Sequence, residues 1–412
     1  MQIQDAKVRV CFNGRGDLGI EADVTVDGKL GRALSPSGAS RGSNEAVPFF
    51  EESAERTVAQ FETYKRRIIG FEASDIDGLG LLLREIDGTK DYSRIGGSLA
   101  YAVSVAAAEA EGHARGVPLC RVIDPKSSSL PFPIGNIVGG GKHASDLSPS
   151  MQEILVTPIG AGSVAEAEQL NLAIHRAVGK RLSKILSYPL GKGDEGGWAP
   201  GITDEEALLV VSEEVGRVQD EAGKKIRVGL DVAAGSLYDE KKGGYHYRST
   251  GKTLSRDQQI SFIGELRDRF NLLYIEDPLT EDDFEGYAKL HSSLKNTLIV
   301  GDDLYTTDPE RLKIGIESRS TNAVIVKVNQ IGSLGEAARF SKLARENGQV
   351  LAASHRSGDN EGGHLAHFGV GFGCGLIKCG VVGGERTAKL NELIRISETL
   401  DATLDPSWVA AT

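Results

Sequence analysis

The sequence predicts an α/β fold, a (β/α) barrel over residues 131–412 preceded by a smaller α+β unit over residues 1–130. Short apolar runs alternate with amphipathic helical stretches through the second part, which implies a parallel sheet with helices outside it. The later units recur about every 25 residues, a spacing that suits a closed barrel. The chain has 412 residues, too many for one ordinary domain and enough for a barrel plus a smaller unit. A doubly wound open sheet lacks support, because no G-x-G-x-x-G follows a first strand.

Residues 7–35 read as a strand meander (VRVCF, IEADVTV, GRAL) with a hairpin turn at Asp27-Gly28. Residues 35–42 (SPSGASRG) form a small-residue loop, and residues 46–70 and 98–116 read as helices, the second rich in alanine. This unit is expected to end near Pro131. Seven buried-type strands follow: ILVTPIG, IRVGLDVA, LLYIEDP, TLIVGDDL, AVIVKVNQ, VLAASHR and LIKCG. Helical stretches such as SLGEAARFSKLAREN separate most of the later ones.

Composition narrows the function. Hydrophobic residues make up 40% and charged residues 25%, the balance of a folded globular protein. The net charge is −11 with no long basic stretch, which argues against a nucleic-acid partner. An acidic chain that handles an anionic substrate needs local cations or a metal. Cys11, Cys120, Cys374 and Cys379 show no C-x-x-C spacing and read as free thiols of a reducing cytoplasm. The N-terminus lacks a signal-peptide pattern, and no apolar run approaches the roughly 20 residues of a membrane span.

The later strands end in Asp231, Glu276, Asp302, Lys327, His355 and Lys378. A barrel brings strand C-termini to one mouth, so these groups are expected together. A single acid at a strand end is more often structural, but six polar ends in succession are hard to ascribe to chance. Asp231, Glu276 and Asp302 offer hard oxygens with neither cysteine nor a histidine pair, which favours Mg²⁺ over zinc. The competing reading, helix capping or solvation, sits badly with the apolar runs before them. Lys327 lies in a β-branched run, where a lysine must be paired or held neutral. Beside magnesium its pKa is expected to fall, making it a usable general base. Lys378 is placed to neutralise a carboxylate, and His355-Arg356-Ser357 offers a guanidinium and a hydroxyl to a phosphate. Gly193-Asp194-Glu195-Gly196-Gly197 is a glycine-framed acidic loop, suited to an acid catalyst but also common on surfaces.

In order and along most of the chain these residues resemble the enolase family. The similarity is carried by GGGKHA, QEILVTPIGA, GDEGGWAP, LDVAAGSLY, IEDPLTEDDFEGY, VGDDL, KVNQIGSLGEA, SHRSG and IKCG, and more weakly by GRG, SGAS and EIDGT near the N-terminus. The resemblance implies an enolase-like barrel with a small capping domain and two Mg²⁺ per site. It implies that Asp231, Glu276 and Asp302 hold the first ion. Ser40, in a mobile loop over residues 35–42, helps bind the second. Lys327 takes the C2 proton of 2-phosphoglycerate, and Glu195 helps the hydroxyl leave, with Glu153 and His143 nearby. Arg356 and Ser357 hold the phosphate, with His355, Gln152 and the Ser40–Arg41 loop among the substrate-binding residues, and Lys378 holds the carboxylate side. Family members pair through the small domain, so a homodimer or higher homo-oligomer is expected.

Several positions depart from the family pattern. Arg41 stands where threonine is usual, Asp17-Leu18-Gly19 replaces N-P-T, and HASDLSPSMQE is one residue longer than its counterpart. Asp359-Asn360-Glu361-Gly362-Gly363 and Val381-Val382-Gly383-Gly384 are also unusual. Dehydration of 2-phosphoglycerate to phosphoenolpyruvate is the favoured reading, since every residue that carries it is present. An enolase-like enzyme of phosphonate metabolism, resembling carboxyphosphonoenolpyruvate synthase, is the alternative, and a non-catalytic role is the third. Arg41 grips an extra anionic group in the alternative and faces solvent otherwise.

Overall fold

The computed structural model describes residues 1–39, 41–144 and 147–410. Ser40 and the side chain of His143, both expected in the site, lie outside what is described.

The N-terminal meander forms as an antiparallel sheet of Ile3–Phe12, Leu18–Val26 and Lys29–Leu34. Asp27 and Gly28 take φ of 47° and 70°, the left-handed pair of a tight hairpin turn. Ile20, Ala22, Val24 and Val26 alternate onto one buried face. That face meets Gly97–Arg115, an alanine-rich helix buried on nearly every side. Gly31 lies against the backbone of Ala106 and Ala110, so a side chain there has no room.

The expected helix over 46–70 begins later, at Ala54, where the Ser53 side chain accepts from Arg56 N–H. Before it, Glu51 and Glu52 sit at φ 47° and 56° and break the run. A further helix, Ile76–Asp87, escaped sequence reading because Gly78 and Gly80 weaken its pattern. It docks on the barrel helix Leu334–Glu346, with Gly335 against the Ile76 carbonyl and Gly80 against Ser333 Oγ. Arg84 Nε and Nη2 donate to Glu336 Oε1 at 2.9 and 2.5 Å, and Tyr92 OH donates to Glu336 Oε2 at 2.6 Å.

The barrel closes through Phe132–Gly139, Glu153–Thr157, Arg227–Asp231, Tyr274–Glu276, Leu298–Gly301, Ala323–Val326, Val350–Ser354 and Leu376–Lys378. Two features differ from expectation. Its first strand, Phe132–Gly139, was hidden by Pro133, Gly135 and Gly139 in the run. The sheet is also not all parallel, because Glu153–Thr157 runs antiparallel to both neighbours. That reversal brings the first residue of this strand, rather than its last, to the mouth where the other strands end. A three-stranded excursion, Tyr238–Asp239, Gly244–Tyr247 and Lys252–Leu254, follows the strand that ends at Asp231.

Candidate active site

Strand register assembles the mouth. Asp231 pairs across with Glu153 on one side and Glu276 on the other. Lys378 reaches into the middle, with Nζ at 2.6 Å from Glu153 Oε2, 2.8 Å from Asp231 Oδ2 and 2.8 Å from Glu276 Oε2. Burial disfavours its charge, but Asp231, Glu153 and Glu276 outweigh that and hold the ammonium well above lysine's ordinary pKa. Gln152 Nε2 donates to Asp231 Oδ2 at 3.1 Å.

Asp302 lies one residue beyond Leu298–Gly301 and turns toward Lys327, whose Nζ pairs with Asp302 Oδ2. Gln330 Nε2 donates to Asp302 Oδ1 at 2.9 Å. Thr307 Oγ1 accepts from Lys327 N–H at 3.0 Å and donates to Gln330 Oε1 at 2.8 Å, fixing the backbone here. Lys327 was expected to have its pKa lowered beside magnesium. Burial does pull it down, yet Asp302 and Glu276 hold it above the ordinary value, so in this arrangement it is an ammonium. Burial likewise works to raise Asp302, but Lys327 keeps its carboxyl low.

The three carboxylates expected to face one point are therefore interleaved with two lysines. Asp231 and Glu276 share Lys378, and Asp302 holds Lys327 beside them. A second close group joins Asp277 and Asp303 to Asp302. Asp277 is spoken for: it accepts from the N–H of Asp302 at 3.0 Å and of Asp303 at 2.8 Å, and from Tyr287 OH at 3.0 Å. It positions the Asp302 backbone, a task its place in IEDP did not reveal.

The donor set fits a hard divalent cation. It is all oxygen, and the buried carboxylates outnumber the lysines. Burial and Asp231 push Glu276 up to about 8, and burial with Asp302 pushes Asp303 up to about 7. Such values mark a buried surplus of negative charge. Glu276 Oε1 is fully buried with no hydrogen-bond partner among the described residues.

Across the mouth, Glu153 and Glu195 form a carboxyl pair. Burial, opposed by Lys378 and reinforced by Glu195, pushes Glu153 well above the carboxylate range. Asn136 Nδ2 donates to Glu153 Oε1. His355 Nε2 lies 3.2 Å from Glu195 Oε2. Arg356, expected to grip phosphate, is held here by Glu45 in a two-pronged ion pair, Nη1 to Oε2 at 2.8 Å and Nη2 to Oε1 at 3.2 Å. Glu45 follows the 35–42 loop and was not singled out from the sequence, where a loop glutamate looks like a surface residue. The loop itself is tied down, since Ser37 and Gly358 exchange two backbone hydrogen bonds of 2.8 Å. Ser357 Oγ accepts from Arg15 Nη1 at 3.4 Å. Arg41 is exposed and borders a side chamber shared with Arg15, Phe49 and Asn329. No helix of the described residues is long and apolar enough to cross a membrane.

Fold and mouth together define a capped (β/α) barrel whose strand ends gather acidic groups around two lysines, the equipment for moving a proton next to a carboxylate. The particular kind is fixed by comparison. Residues 127–405 match the family model "Enolase, C-terminal TIM barrel domain", and residues 3–123 match "Enolase, N-terminal domain". A protein named enolase from Archaeoglobus fulgidus is 44% identical over 405 residues, covering 97% of this chain and 98% of the relative. Enolases of Natronomonas pharaonis (44%, covering 96% and 98%) and Thermoplasma acidophilum (42%, covering 97% and 99%) are similar along their whole length too. The chain belongs to the enolase family.

Proposed function

We propose that this protein is a phosphopyruvate hydratase, a carbon–oxygen lyase that converts 2-phosphoglycerate to phosphoenolpyruvate and water. The observation that supports it best is a single mouth with Lys327 near Asp302 and the Glu153–Glu195 pair beside Lys378, in a chain related to enolases from end to end. Lys327 Nζ takes the C2 proton. The electron pair of the broken C–H bond is first delocalised onto the substrate carboxylate, then returns to form the C2=C3 double bond as the C3–O bond breaks, and Glu195 gives the leaving hydroxide the proton that makes it water. Lys327 acts as base only once Asp302 no longer holds its proton in place. Lys378, held charged by its neighbours, balances the substrate carboxylate as negative charge gathers there. Arg356 and Ser357 face the phosphate, which competes with Glu45 for the guanidinium.

Asp231, Glu276 and Asp302 would hold one Mg²⁺, and the loop bearing Ser40 would help hold a second. When bound, the two ions supply positive charge beside the carboxylate as it becomes more negative. Residues 1–130 cap the 131–412 barrel in this reading, the loop over 35–42 closes the mouth, and the reaction belongs to glycolysis in the cytoplasm. Lys327→Ala tests the assignment of the base. The variant should fold, lose turnover by about a thousandfold or more, and lose exchange of the C2 proton with deuterated solvent. Exchange that survives would move the base elsewhere.

A further inference from the structure

Arg386 lies on the helix Gly384–Leu400, just outside the motifs read from the sequence, yet its side chain is fully buried behind the mouth. Its four terminal N–H groups are all engaged. Nη1 meets His355 Nδ1 at 2.9 Å and the Arg356 carbonyl at 2.6 Å. Nη2 donates to the carbonyls of Ser357 at 2.7 Å and Asp194 at 3.2 Å. One guanidinium thus joins the loop that carries His355 to the loop that carries Glu195.

We propose that Arg386 is a positioning residue that fixes His355 as the neutral Nε2–H tautomer, making the ring a standing donor toward Glu195. A guanidinium only donates and does not lose its proton, so Nδ1 facing it must accept. A neutral ring then carries its hydrogen on Nε2, the nitrogen 3.2 Å from Glu195 Oε2. Turning the ring over would leave both Arg386 and Glu195 against carbon. The surroundings agree. Burial, only partly offset by Glu195, and then Arg386 hold His355 down to about 4, neutral at any ordinary pH. The charged groups facing the ring are Glu195, with Glu153 behind it, and on the other side Arg386 and Asp359. Asp359 is paired with Lys389 at 2.8 Å. Lys378 offers the His355 backbone only its carbonyl, at 2.9 Å.

Two consequences follow. With its hydrogen on Nε2 and Nδ1 taken by Arg386, the ring offers Glu195 no acceptor, so a proton on Glu195 sits away from the ring. Glu153, Glu195 and His355 also lie close enough together to look like a cation site. With Nδ1 accepting from Arg386 and Nε2 protonated, His355 has no lone pair left for a metal.

The effect on catalysis rests on Glu195 being the acid of the proposed reaction, but the tautomer does not. It can be read by ¹⁵N NMR of the full-length, histidine-labelled protein without substrate, with His355→Asn identifying the signals. The wild type should show the Nε2–H pattern unchanged from about pH 5.5 to 8.5, a range in which an ordinary histidine titrates. An Nδ1–H pattern, or titration in that range, would overturn the proposal. Arg386→Met should release the ring to mix tautomers or titrate, lower kcat about tenfold or more with little change in KM, and shift the acid limb of the pH profile. Arg386→Gln, which keeps an N–H donor, should restore the tautomer. If Arg386→Met retains the Nε2–H pattern, something other than Arg386 fixes it and the proposal fails. Should that variant not fold, the wild-type and Arg386→Gln spectra still decide.

Discussion

Lys327 and Lys378 share one mouth, and their surroundings give them different tasks. Lys378 touches three carboxylates and is a fixed ammonium, whereas Lys327 depends mainly on Asp302 and is the one whose proton can be released. Lys378→Met should therefore cost about 3–5 kcal/mol of stability by taking the cation away from the buried acidic cluster of Asp231, Glu153 and Glu276, which urea unfolding would measure. The pH dependence of Mg²⁺ binding follows from Glu276. Its carboxyl is held at about 8, so below that pH it carries a proton that the cation must expel. Affinity should rise with pH up to about 8 and then level off. Calorimetry in buffers of different ionisation enthalpy should show proton release at pH 7, and no release would contradict the assignment of Glu276. Arg41 is exposed, so Arg41→Thr should change turnover of 2-phosphoglycerate by less than about twofold. A clear gain on that substrate would favour recognition of a further anionic group. The strand-end residues of this site were legible because acids and lysines after β-branched runs are conspicuous. Glu45, Asp277 and Arg386 were not, because each reads locally as a solvated loop or helix residue and only tertiary contacts bury it.

Elements were legible where periodicity was strong and obscure where glycine or proline interrupted it. Phe132–Gly139 and Ile76–Asp87 escaped for that reason. Strand direction is a separate matter, since a buried run such as Glu153–Thr157 reads the same either way. The connection before it held the clue: the described residues between 140 and 152 form no α-helix, whereas a parallel crossover usually needs one. The antiparallel strand is what brings Glu153 opposite Asp231. In the small unit, the sheet approaches Gly97–Arg115 closely only because Gly31 has no side chain. Gly31→Ala should cost about 1–3 kcal/mol in chemical denaturation, whereas an unchanged midpoint would mean the helix yields without penalty.

For the whole molecule, the small unit is joined to the barrel by the Arg84–Glu336 pair, the Glu45–Arg356 pair and the Ser37–Gly358 bridge, so both parts of the chain meet at the mouth. Pairing of protomers is expected from the family, with symmetric association the common pattern. Light scattering at micromolar concentration should give at least twice the 43.9 kDa chain mass, and a purely monomeric species would refute it. The account stands most directly on one measurement, the rate at which the purified protein forms phosphoenolpyruvate from 2-phosphoglycerate with Mg²⁺ and then with excess chelator. It predicts turnover within the roughly 1–1000 per second usual for enzymes, abolished by the chelator and restored by added Mg²⁺. A folded protein that forms no phosphoenolpyruvate with Mg²⁺ present, or keeps full activity in the chelator, would contradict it.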